Sequence, residues 1–203
     1  MANITVATRG ICNPAWNGSY YPEDLPADWK LVYFANDFSA CLLTTRDLHE
    51  LAVGGEDFFS DLPEGFRIFL EPGAQPLPPL TASFFDRVTG FVVFANQSSD
   101  DSLPSLVRDT GKPYCLFVDQ QDTSFFIRAD EQAVALQPCH ASPLKPALHC
   151  ALIGREEAMD LRQLKGRLAQ WLQNDNEEHM LLIDGGMDIE AIRNVTVLIQ
   201  LLT

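Results

Sequence analysis

Gly90-Phe91-Val92-Val93-Phe94-Ala95 is apolar at every position, and that continuity decides the fold class. Successive side chains of a strand point to opposite faces, so a half-exposed strand alternates while an uninterrupted apolar run is covered on both sides. Such runs suit parallel strands flanked by helices. Tyr114-Cys115-Leu116-Phe117-Val118 repeats the pattern downstream and ends at Asp119. Phe66-Arg67-Ile68-Phe69-Leu70 precedes it, bounded by the turn residues Pro63-Glu64-Gly65 and Glu71-Pro72-Gly73. Strand-like runs at 4–8, 39–43, 147–153 and 180–183, with a weaker one at 133–137, bring the expected set to eight.

Segments of helical spacing lie between many of these runs. Asp28 is placed to cap a helix in which Leu31, Phe34, Ala35 and Phe38 share one face. Residues 47–62 repeat Leu48, Leu51, Ala52, Phe58 and Phe59 but are interrupted at Gly54-Gly55. Short helices are expected at 80–89 and 102–109. The clearest stripe, Leu161, Leu164, Leu168, Trp171 and Leu172, follows Asp160, and Ile189, Ile192, Val195, Ile199 and Leu202 mark a terminal helix. Alternation of this kind predicts a parallel sheet, and eight units predict a (β/α)8 TIM-like barrel. At 203 residues the barrel must be compact, with shortened helices. An open doubly wound parallel sheet is the alternative, but no G-x-G-x-x-G or G-x-x-x-x-G-K-[ST] run supports its nucleotide chemistry, and no cofactor is expected.

The chain is 46% hydrophobic and 21% charged, the composition of a soluble globular protein with one sizeable core, and residues 1–203 are read as one domain. Its 14 Lys and Arg against 28 Asp and Glu give a net charge of -14. That charge repels phosphate backbones and anionic headgroups, which excludes nucleic acid and membrane surfaces as expected partners. No leader-like segment or bilayer-length apolar run stands out, so a cytoplasmic protein is expected. Five cysteines without C-x-x-C spacing read as reduced core thiols. Cys139-His140 and His149-Cys150 have the donor types for zinc, but neighbours in an extended chain point to opposite faces, so no metal site is expected.

The first connection, Asn13-Pro14-Ala15-Trp16-Asn17-Gly18-Ser19-Tyr20-Tyr21-Pro22, is too aromatic for an ordinary solvated loop. Its rings are expected to pack, with the barrel mouth as the place, in preference to lining a ligand pocket.

Trp16-Asn17-Gly18-Ser19-Tyr20-Tyr21-Pro22 resembles the W-x-G-x-F-Y-P motif of the YecE-like TIM barrels, a family known as a domain of unknown function. The following helix, the entry Leu62-Pro63-Glu64-Gly65-Phe66-Arg67-Ile68, and the closing strand, glycine turn and helix at 181–202 are similar to that family as well. The resemblance implies a barrel whose polar groups gather at the strand ends. Where the family has V-E-x-N-x-T-F-Y, however, this chain has Ala40-Cys41-Leu42-Leu43-Thr44-Thr45-Arg46-Asp47, so Cys41 and Leu43 replace a carboxylate and an amide. The family lysine after the third strand falls on Glu71, its E-x-R-H strand near Phe117-Val118-Asp119-Gln120, and its R-L-H-G run on Ala151-Leu152-Ile153-Gly154. The implication is a degenerated active site. Cys41, Leu43, Phe117 and Ala151 are expected to point into the barrel as an apolar plug.

In a barrel, Arg9, Glu71, Asn96, Asp119, Arg155 and Asp184 lie at the carboxyl ends of strands, where such folds place their sites. Glu71, Asp119 and Asp184 are the catalytic candidates, as carboxylates that could act as acid and base. Arg9, Trp16, Tyr20 and Arg155 are the ligand-binding candidates, with the amide end of the helix after Gly185-Gly186 as an anion cradle. Two readings compete: a ligand-binding or interaction protein, a pseudoenzyme in effect, and a hydrolase or lyase type enzyme acting on a small anionic substrate. A small anionic ligand or a protein is the expected partner, and no feature sets an oligomeric state.

Overall fold

The computed structural model describes residues 3–51, 59, 61–73, 77–95, 105–118, 149–154, 158, 160–171 and 178–202. Seven strands run through them: β1 (Asn3–Arg9), β2 (Ala40–Thr44), β3 (Arg67–Glu71), β4 (Val88–Ala95), β5 (Tyr114–Val118), β6 (His149–Ile153) and β7 (Glu178–Asp184). The helices are α1 (Lys30–Ala35), α2 (Thr45–Glu50), α3 (Ala82–Arg87), α4 (Ser105–Thr110), α5 (Leu161–Trp171) and α6 (Ile189–Gln200). The expected strand at 133–137 lies outside the described residues.

All six strand pairings are parallel, in the order β5-β4-β3-β2-β1-β7-β6. The first strand therefore pairs with the last, and the four successive strands β2 to β5 follow on its other side. An open doubly wound sheet instead reverses its order and carries helices on both faces. Here the two faces differ. Ala7, Ala40, Leu42, Phe69, Val92, Leu152, Met180 and Leu182 form one buried cluster to which, among the described residues, no helix contributes. The intervening residues, among them Cys41, Leu43, Ile68, Leu70, Phe91, Val93, Ile153, Leu181 and Ile183, join the larger cluster that includes Leu31, Leu48, Leu164, Ile192 and Val195 from the helices. The result is an α/β fold with a curled parallel sheet, helices outside and a concave face lined, among the described residues, by strands.

Two expectations are corrected by this geometry. Asp28 does not cap α1; it sits inside a 3₁₀ turn, Ala27–Trp29, where Trp29 N donates to Pro26 O at 3.1 Å and the chain runs on into the helix. Cys41 and Leu43 do not point into the concavity. Side chains alternate along β2, and because Ala40 and Leu42 take the concave face, Cys41 and Leu43 face the helices, fully buried. Side-chain directions of Phe117 and Ala151 lie outside what is described.

The helix expected at 47–62 is described in its first part, as α2, and the interruption expected at Gly54-Gly55 lies outside the described residues. Thr44 caps α2 by accepting from Asp47 N at 3.2 Å, while the Asp47 carboxylate accepts from Thr44 N, so the helix begins before Asp47. On α5 and α6 the expected stripes are the buried faces, with Leu164, Leu168, Ile192, Val195 and Ile199 inside.

Candidate functional site

Strand alternation places Thr5, Ala7 and Arg9 of β1 on the concave face, with Arg67, Phe69 and Glu71 of β3 and Met180, Leu182 and Asp184 of β7. The face is polar at its two ends and apolar between them. At the amino-terminal end Arg67 Nη1 donates to Thr5 Oγ1. At the carboxyl-terminal end the Arg9 guanidinium reaches over β2 to Glu71, with Nε donating to Oε2 and Nη2 to Oε1, each at 2.7 Å. The Arg9 charge centre lies 4.2 Å from the Phe94 ring centroid, so a β4 aromatic supports the guanidinium of β1. Two intervening strands separate those residues, and their contact follows from the curl of the sheet.

Arg9 is held in its charged form. Its pKa is raised first by the hydrogen bonds to Glu71, against the lowering effect of burial, and then by the charges of Glu71 and Asp184. Its side chain is 32% exposed and that of Glu71 13%, so the pair sits at an opening of the concavity and not within its core. Of the residues expected at the strand ends, the structure thus brings together Arg9, Glu71 and Asp184. Asp119, Arg155 and Asn96 lie outside the described residues.

The loop that leaves β1 is fixed by two anchors. Gly10 takes φ 81, a left-handed conformation that suits glycine, and turns the chain sharply. Asp47 then receives Ile11 N at 3.0 Å and Cys12 N at 2.9 Å on Oδ1, while Oδ2 accepts from Thr44 N and the Thr44 hydroxyl. This buried carboxylate, 2% exposed, joins the β1 exit to the start of α2. The second anchor joins the same loop to the β7 exit: Asn13 Nδ2 donates to Gly185 O at 2.8 Å, and Trp16 Nε1 to Met187 O at 2.9 Å. Gly185 passes so close to the backbone of Arg9 and Gly10 that a Cβ there would collide with both carbonyl oxygens.

Trp16 and Tyr20 therefore do not line the opening. Trp16 stacks on Phe34 of α1 at 6.4 Å, Tyr20 packs edge-on against Trp16 and Tyr33, and Arg193 of α6 lies over the Tyr20 ring. Both rings belong to the helix-facing core, and the cluster packs beside the barrel-like sheet where packing across the mouth was expected. The Tyr21 hydroxyl donates to Ile11 O at 2.9 Å, which uses up its polar end.

Anion binding at Gly185-Gly186 loses its donors as well. Gly185 N donates to Arg9 O, Gly186 N to Asp184 Oδ1 and Glu190 N to Asp188 Oδ1, so these amides at the start of α6 are already taken. Thiol chemistry is also opposed. Burial first, then Asp47 and Glu50, pushes the Cys12 thiol up against the lowering effect of Lys30, and burial with Asp47 does the same for Cys41, so both stay neutral.

Asp47 and Phe94 are the two residues of this region that were not picked out in advance. Thr44-Thr45-Arg46-Asp47 has the spacing of a capping box, which would have identified the helix start, though not the loop bonds. Phe94 reads as one more apolar strand residue. Set against known protein families, curated proteins and solved structures, the chain matches none.

Proposed function

We propose that the protein binds a small molecule at the rim formed by the carboxyl ends of β1, β3, β4 and β7. The observation behind this reading is the Arg9–Glu71 pair, held two-pronged at 2.7 Å and partly open to solvent at one end of a concave face that is apolar through its middle. Replacing a partly buried ion pair by apolar side chains is often neutral or stabilising, so charge kept at such a place is better explained by use than by stability. The enzyme alternative has less support. Both Glu71 oxygens are engaged by Arg9, and the amides proposed to hold an anionic substrate are occupied within the chain.

The reading rests on a closed (β/α)8 barrel. Its support is the pairing of the first described strand with the last and the strand order along the sheet. The run at 133–137 falls in chain order between β5 and β6, the two edge strands, where an eighth strand would join them. The YecE-like relationship is retained on the Trp16 to Pro22 motif, with the glycine turn at Gly185-Gly186. A cytoplasmic setting agrees with Cys12 and Cys41 as free, buried thiols.

Arginine side-chain NMR tests the binding site. With the Arg9 Nε–H signal assigned through Arg9→Lys, a library of small polar fragments should yield compounds that shift Arg9 together with the Gly10 and Gly186 amides. Compounds that shift only helix-facing residues would place binding elsewhere and count against the rim.

A further inference from the structure

We propose that the rim takes a neutral polyhydroxyl ligand of about one sugar ring, and that Glu71 sets this preference by cancelling the Arg9 charge. The inference rests on the rim being the binding site, and it names the ligand class. An anion needs donors and positive potential, and the described rim supplies little of either. Arg9 contributes one positive charge, and Glu71 and Asp184 contribute two negative ones. Asp188 at the cap of α6 and Glu190 in its first turn add further carboxylates, and there the Gly186 amide is committed to Asp184 and the Glu190 amide to Asp188.

A hydroxyl group suits the same atoms. Arg9 uses Nε and Nη2 on Glu71, so Nη1 remains as a donor, held in direction by the fork. Each Glu71 oxygen accepts one bond from Arg9 and has capacity for another, and Asp184 accepts from Gly186 N on Oδ1 with Oδ2 beside it. Groups that both donate and accept satisfy such a mixed rim, whereas a phosphate or carboxylate would oppose its two carboxylates. Phe94, against the guanidinium, holds it in place for a bound ring. From β7 to β3 there are three strand spacings, about 14 Å along the curled sheet, enough for one ring and its hydroxyls.

The test is a matched series read at the Arg9 Nε–H signal: D-glucose, D-glucosamine, D-glucuronate and glucose 6-phosphate, which keep the ring and change the charge. Glucose should bind at least about tenfold more tightly than either anion, a margin expected of one uncompensated like-charge contact. In Glu71→Gln, which keeps an acceptor and removes the charge, that margin should shrink or reverse. Preference for an anion in the unmodified protein overturns the ligand class while leaving the rim as the site. Preference for glucosamine overturns it in the same way. If no member moves Arg9 although small polar fragments do, the polyhydroxyl class is overturned alone. If those fragments also leave Arg9 unmoved, the rim reading falls with it.

Discussion

Arg9 at the end of β1 and Glu71 at the end of β3 are joined by two hydrogen bonds of 2.7 Å across the intervening β2. The pair pins the curl of the sheet, yet it stands partly in water, which screens it. Arg9→Ala should therefore cost about 1–2 kcal/mol, less than the loss of one member of a fully buried pair. Arg9→Met combined with Glu71→Leu should recover most of that loss while abolishing fragment binding at the rim. Urea melts measure both, and a double variant no more stable than the single one would make the pair a structural necessity.

Asp47 should matter more to stability than any rim residue. It accepts four hydrogen bonds, two from the β1 exit and two from Thr44, at 2% exposure. Asp47→Ala leaves three backbone amides without their acceptor and removes half of a helix cap, a loss of about 2–4 kcal/mol. A thermal melt that moved by no more than a degree or two would show that water replaces the carboxylate and that the anchor is dispensable.

Alkaline pH should destabilise the protein. Burial raises the pKa of Cys12, Cys41, Tyr20 and Tyr21 above their ordinary values of 9.0 for the thiols and 10.0 for the phenols. In the native state these groups keep protons that the unfolded chain releases, so stability is full below about pH 9 and falls as pH rises from there. Urea midpoints between pH 8 and pH 11 check the sign. A midpoint rising over that range contradicts the burial of these groups.

Cys41→Glu should destabilise the fold by several kcal/mol, on the order of an uncompensated buried charge. The position is fully buried and faces the helices near Asp47, so the added carboxylate is removed from water beside an existing one. Cys41→Ala should cost about 1 kcal/mol in the same melt, the loss of a small apolar group. Equal stability of the two variants would mean that β2 presents Cys41 to solvent.

Much of the fold was legible because its signal is local. Seven of the expected strands are present within a residue or two of their apolar runs, and the stripes on α5 and α6 mark the buried faces. Side-chain direction along β2 was not legible, since both faces are apolar and a shift of one residue exchanges them. The resemblance suggested that Cys41 and Leu43 face inward, and the concave cluster of Ala40 and Leu42 corrects it. Arg9, Glu71 and Asp184 were identified as strand-end residues, but the bond between Arg9 and Glu71 links residues 62 positions apart and depends on sheet order. Trp16 and Tyr20 were read as aromatic and buried, while their place beside α1 and α6 is set by long-range bonds such as Trp16 to Met187.

The rim holding Arg9, Glu71, Phe94 and Asp184 is the place proposed for a small molecule to bind. Crystals of the unmodified chain soaked with a library of small polar fragments test it most directly, because the density itself reports the place. Fragments are expected bonded to Arg9 Nη1 or to the Glu71 and Asp184 carboxylates, beside the Arg9–Phe94 stack. Fragments bound repeatedly elsewhere, with the rim holding none, would contradict it.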